Sequence, residues 1–157
     1  MPLPKKIQNQ LKKFEKINQT YLMKILFQDR DFRKLLTDLN TNDQLLEKGI
    51  DSKGRSLGDY AIATIEGTKN FKGKKEKGQR YDHITLNDSG KFYKSFRVIF
   101  NQLEPSLQIV ADGQKEDTNL LEAYGSEIIG LTDDSISVAV NAAIPIIQRN
   151  LQLLLIN

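Results

Sequence analysis

Residues 132–157, TDDSISVAVNAAIPIIQRNLQLLLIN, leave this chain little choice but to build its core against one long helix. Ile136, Val140, Ile144, Ile147, Leu151 and Leu154 recur at spacings of three and four, the period that puts them on one helical face. Thr132 suits the N-cap, and Asp133 and Asp134 complement the helix dipole in the first turn. Pro145 removes a backbone donor and crowds the preceding turn, which predicts a bend at or just before Ile144. Beyond it Leu153, Leu155 and Ile156 widen the apolar surface past a single stripe, so this end calls for cover from the domain or from a neighbouring subunit. Asn141, Pro145, Gln148, Arg149, Asn150 and Gln152 interrupt the stretch too often for a membrane span, and a soluble chain with no membrane partner is expected.

Ahead of this helix the pattern changes several times. From Lys5 to about Gln28, Ile7, Leu11, Phe14, Ile17, Tyr21, Ile25 and Leu26 follow an amphipathic helical pattern. The opening MPLPKKIQNQLKKFEK lacks an apolar run of signal-peptide length and reads as mature protein. Asp29 and Asp31 are both N-cap candidates for a second helix carrying Phe32, Leu35, Leu36 and Leu39. The polar cluster at 40–43, NTND, either interrupts that helix or caps a third short one that Gly49 closes.

The middle of the chain is a turn-rich region with strand signals. IDSKGRSLGDY is followed by a short helix candidate at Ala61–Glu66, a lysine-rich loop from Gly67 to Gly78, and three runs of alternating or branched residues. These are HITL (83–86), FRVIFNQ (96–102) and SLQIVADG (106–113), the last two forming a hairpin about Glu104 and Pro105. Between the first two, NDSGKFYKSF reads as a turn and one helical turn that delivers Phe92, Tyr93 and Phe96 to the core. Asn119–Tyr124 is a short helix closed by Gly125. The expectation is a single α+β domain over 1–157: an N-terminal helical segment (1–48), a loop and small antiparallel sheet with a long flexible lysine-rich loop (49–131), and a long C-terminal helix (132–157). A chain of 157 residues buries roughly two-thirds of its unfolded surface, enough to fold without staples.

Few catalytic chemistries fit these residues. Cysteine is absent, which excludes disulfides and thiolate sites and leaves the redox compartment open. Asp51, Ser52, Lys53 and Gly54 resemble the start of a calcium loop, but Lys53 stands where an oxygen ligand belongs and Ile62 where the bidentate Glu is required. No GxxxxGK[ST] phosphate loop occurs, so the segment reads as a glycine turn with positive φ at Gly54 or Gly58. His83 is the only histidine and suits a structural role. Asp133 with Asp134 reads as a helix first turn, and Glu116 with Asp117 as a solvated loop. No catalytic residue, metal ligand or cofactor site emerges, and the chain is not expected to be an enzyme. A hydrolase or nuclease would need clustered carboxylates with a metal or a base.

The net charge is only +3, with a pI near 9.0. The excess is local: Lys69, Lys72, Lys74, Lys75, Lys77 and Arg80 face Glu76 alone within the segment 69–80. Such a loop attracts phosphate or an acidic protein surface, in a salt-dependent way. A small basic nucleic-acid-binding module built on Lys72, Lys74, Lys75, Lys77 and Arg80 is therefore a second reading. Phe71, the single aromatic of the loop, gives little platform for base stacking.

The order of these features resembles the virion morphogenesis and tail completion proteins of tailed bacteriophages, small components of the head-to-tail connector or neck. The resemblance rests on QLLEKGIDSKGRSLGDYAIATIEGTK, on ITLNDSGKFYKSFRV, and on EAYGSEIIGLT followed by the C-terminal helix, covering roughly residues 44–157. It implies a non-enzymatic α+β subunit of a homo-oligomeric ring in the virion, assembled in the host cytoplasm, with portal or connector and tail proteins as partners. Non-specific contact with packaged DNA would fit the same place. The resemblance makes Gly49, Gly54 and Gly58 backbone punctuation, makes Tyr60 and Thr64 anchors of the turn onto the sheet, and has Ser89 and Gly90 turn the chain toward the core. Interface or DNA-lumen candidates are then Lys69, Lys72, Lys74, Lys75, Lys77, Arg80, Leu153, Leu155 and Ile156.

Overall fold

A computed structural model describes residues 4–15, 17–115 and 118–156. The N-terminal region forms α1 (Lys5–Phe14), α2 (Gln19–Gln28) and α3 (Arg30–Asp38). One helix was expected up to Gln28; instead Asn18 adopts an extended conformation, and its side chain accepts from the Tyr21 amide to start α2 afresh. Asp29 caps α3 in the same way through the Phe32 amide. The apolar stripe is buried only in its second half: Ile25 and Leu26 lie in the interior, while Ile7 and Leu11 of α1 are exposed. The side chain of Phe14 lies outside the described residues.

The cluster 40–43 neither breaks nor caps. The chain runs from α3 straight into π-helical turns, Leu39–Lys48, that bury Asn40, Thr41, Gln44 and Leu45. Gly49 ends them in the left-handed conformation, φ 61°. A side chain at this position would also run into the His83 ring, whose Nε2 lies 2.9 Å from the Leu46 carbonyl oxygen. His83 thus packs against the end of the π-helical segment.

The middle region contains α4 (Ile62–Glu66), then β1 (Gly67–Thr68) and β2 (Phe71–Lys72) as a minimal hairpin. HITL is not a strand. Thr85 is fully buried and held by Tyr60, and Leu86 has φ 57°, which an extended ladder cannot accommodate. Tyr60 accordingly anchors this irregular segment rather than a sheet. α5 (Lys91–Ser95) carries Phe92 into the interior, with Phe96 following it. β3 (Arg97–Asn101) and β4 (Ser106–Val110) form the expected antiparallel hairpin, with Val98 opposite Ile109.

A third small ladder, β5 (Gln114–Lys115) with β6 (Thr118–Asn119), leads into α6 (Leu120–Tyr124), capped by Asn119. Glu116 and Asp117, expected in a solvated loop, lie outside the described residues. A 3₁₀ turn at Ser126–Ile128 and an extended stretch then deliver the chain to α7 (Asp133–Ile156), which passes through Pro145. The α+β class is as expected.

Two apolar clusters hold these parts. Leu26, Phe32, Leu36 and Val98 pack against Ala139 and Ala143, joining α2, α3 and the β3–β4 hairpin to α7. Leu45, Phe92, Phe96, Leu120 and Ile128 form the other, and Ile109 of β4 touches both.

Candidate assembly surface

The seating of α7 leaves an apolar groove along one side of the helix. Ser135, Ala139 and Ala143, four residues apart, face inward with 2%, 7% and 8% exposure. Small side chains there let the helix lie close to α2 and α3. Ile136, Val140 and Ile144, expected to form the buried face, are instead 47%, 54% and 47% exposed. The inner face was marked by small residues at i, i+4 and i+8, a signal that a search for large apolar ones passes over.

The displaced large residues line an open groove of about 640 Å³. Met23 and Leu26 of α2, Leu107 and Ile109 of β4, and Ile136 and Ile144 of α7 supply its walls. Gln19 and Ser106 are its only polar side chains, and no charged residue lines it among the described residues. A volume in the range of about 300–1,000 Å³ is that of binding pockets. With uncharged walls, the groove suits apolar side chains rather than an ion or a nucleotide phosphate.

The far end of α7 presents the other expected surface. Leu153 is 53% and Ile156 is 81% exposed, while Leu151 and Leu154 are half-buried. The side chain of Leu155 lies outside the described residues. Arg149, one turn earlier, reaches Asp29 at 3.5 Å.

The six cations of the lysine-rich segment do not make one free patch. Lys72 pairs with Glu76 at 3.1 Å, Lys75 with Glu66 at 3.4 Å, and Lys77 with Asp88 at 3.3 Å. Arg80 reaches Glu47 at 2.6 Å and Asp82 at 2.9 Å. Lys69 alone of the six has no partner among the described residues. Lys74 departs from the expected surface set altogether, with only 5% exposure. Its Nζ donates to the Asn87 carbonyl oxygen at 3.0 Å and to Gln79 Oε1 at 3.3 Å, and lies 4.6 Å from the centre of the Tyr60 ring. The Lys74 and Lys75 amides donate to the Thr64 and Ile65 carbonyl oxygens, so the segment is laid back along α4.

A cleft of about 220 Å³ lined by Lys74 and by apolar side chains such as Phe71 and Ile84 also contains Lys72, Lys77, Lys115 and Asp88. Burial works to raise the Asp88 pKa, but Lys115 and Lys77 outweigh it and hold the carboxylate below its ordinary value. The cations of this cleft are thus already answered by carboxylates, carbonyl oxygens and a ring.

The opening turn at Asp51 is likewise self-contained. Asp51 Oδ1 accepts from the Lys53 and Arg55 amides at 2.8 and 2.9 Å, and Oδ2 from the Arg55 guanidinium at 2.7 Å. Gly54 and Gly58 both have positive φ, 73° and 91°, as a glycine turn requires. Burial pushes the Asp51 pKa upward, and the hydrogen bonds from Arg55 and Lys53 together with the Arg55 charge more than reverse it. Every carboxylate lone pair engaged here points at a local donor.

Among the described residues no group of acidic and histidine side chains is arranged to hold a metal ion, and no helix is long and apolar enough to cross a membrane. The chain matches no known protein family, no curated protein and no solved structure.

Proposed function

We propose that this chain is a structural subunit of a tailed-bacteriophage virion, a ring-forming component that joins portal or connector to tail. The observation that carries the reading is the open, uncharged groove between α2, the β3–β4 hairpin and α7, rimmed by Ile136, Val140 and Ile144. An uncharged, largely apolar groove of about 640 Å³ has the size of a binding site, and no charged side chain among its described lining residues is offered for chemistry on a substrate. The sequence resemblance to tail completion proteins supplies the biological setting. The pairing of Lys72, Lys75, Lys77 and Arg80 with neighbouring carboxylates speaks for protein contact as the main role, with DNA contact secondary and non-specific.

The test is self-association. Native mass spectrometry and sizing over a concentration series, followed by electron microscopy, are expected to give one closed oligomer seen as a ring. A strictly monomeric chain at the highest attainable concentration would overturn the reading. The nucleic-acid-module reading would gain if the monomer instead bound duplex DNA with a steep salt slope that Lys72→Gln and Lys75→Gln flatten.

A further inference from the structure

We infer that the groove is filled by the C-terminal end of α7 from a second copy of this chain, so that subunits join head to tail. The inference rests on the self-assembly reading above and names the two surfaces that meet.

The groove needs an occupant that is apolar and carries no charge, because none of its described lining residues could answer one. Most other exposed large apolar residues sit beside charges. In the sequence Lys5, Lys12 and Lys13 flank Ile7 and Leu11, Phe71 precedes Lys72, and Leu103 precedes Glu104. The stretch 150–156, NLQLLLI, contains no charged residue and exposes Leu153 and Ile156. Its own side chains match the groove in carrying no charge, and the nearest cations are Lys13 of α1 beside Leu153 and Leu154 and Arg149 one turn before Leu153.

The tail cannot reach the groove of its own molecule. Both belong to the same helix, with Val140 on the groove wall and Ile156 near the other end. At about 1.5 Å per residue their separation along the axis is about 24 Å. A single copy therefore carries socket and plug on different surfaces, which makes the contact heterologous. Repetition of a heterologous contact closes into a ring when the rotation permits and otherwise runs on as a filament.

Variants at exposed positions keep the fold out of the test. Val140→Glu with Ile144→Glu places charges in the groove, and Leu153→Gln with Ile156→Glu places polar groups on the tail. Each double variant, verified as folded by circular dichroism and thermal melting, is expected to need at least about tenfold higher concentration to associate than the unmodified chain. Mixed in equal amounts, the two should form a heterodimer of defined mass and stop there, since one keeps a sound tail and the other a sound groove. Ile156→Leu should assemble as the parent does. If the parent assembles and the tail variant assembles equally well, or if the mixture stays monomeric, the tail-in-groove contact is wrong while self-assembly stands. A parent chain that never associates would overturn both.

Discussion

Asn40 and Gln44 do at residue scale what a neighbouring strand would do. Asn40 Nδ2 donates to the Ile128 carbonyl oxygen at 3.1 Å, and its Oδ1 accepts from the Gly130 amide at 2.7 Å. Gln44 repeats the pattern two residues on, donating to the Gly130 carbonyl oxygen and accepting from the Thr132 amide, both at 2.9 Å. Two side-chain amides thus satisfy one edge of the extended stretch that leads into α7, and both are fully buried. Gln44→Met, close in shape, would leave the half-buried Gly130 carbonyl and Thr132 amide unmet. It should cost about 1–3 kcal/mol in urea unfolding, because an orphaned polar group loses its solvation without return. Asp51 offers a second measurement. Its folded pKa is lowered, so its stabilisation is present above the ordinary carboxylate value and is lost as pH falls through the folded value. Asp51→Asn should be less stable than the parent at neutral pH and should lose less stability between about pH 5 and pH 2. Equal pH slopes for the two proteins would remove Asp51 from the acid response.

At the scale of elements, those whose determinants are local were legible in the sequence. The β3–β4 hairpin, the α5 turn, α6 with its closing Gly125, and the Gly49 stop follow from neighbouring residues. The misread elements depend on distant partners. The polar cluster 40–43 stays helical because the 128–132 stretch satisfies Asn40, and HITL stays irregular because Tyr60 and Tyr93 hold Thr85. Burial and the neighbouring Tyr60 raise the Tyr93 pKa well above its ordinary value, so its hydroxyl remains a donor to the Thr85 carbonyl oxygen. Lys74 shows the same limit: nothing in FKGKKEKG distinguishes it from Lys72 or Lys75, yet it alone is inserted under Tyr60. Lys74→Met should therefore destabilise by about 1–3 kcal/mol, since the Asn87 carbonyl oxygen and Gln79 Oε1 lose their donor. Lys72→Met and Lys75→Met break only exposed pairs and should stay within about 1 kcal/mol of the parent. A Lys74 variant as stable as the parent would mean that relief of the buried charge outweighs the lost bonds.

For the whole molecule, the balance between apolar and charged surface decides how association should respond to salt. The groove and the end of α7 are uncharged, whereas the lysine segment is polar and largely paired within the chain. Screening shortens from about 10 Å at 0.1 M salt to about 3 Å at 1 M, which weakens contacts between exposed charges and leaves apolar burial in place. Self-association through the groove should consequently persist, or tighten, when salt is raised across that range. Association bridged by DNA or driven by the lysines should instead fall steeply, with a log–log slope set by the number of phosphates neutralised. Sedimentation velocity on nuclease-treated protein at the two salt concentrations separates these outcomes. An oligomer that dissolves at 1 M salt would shift the assembly contact from the α7 groove to the basic segment, with Lys69, the one of its six cations without a partner among the described residues, as its first point of contact.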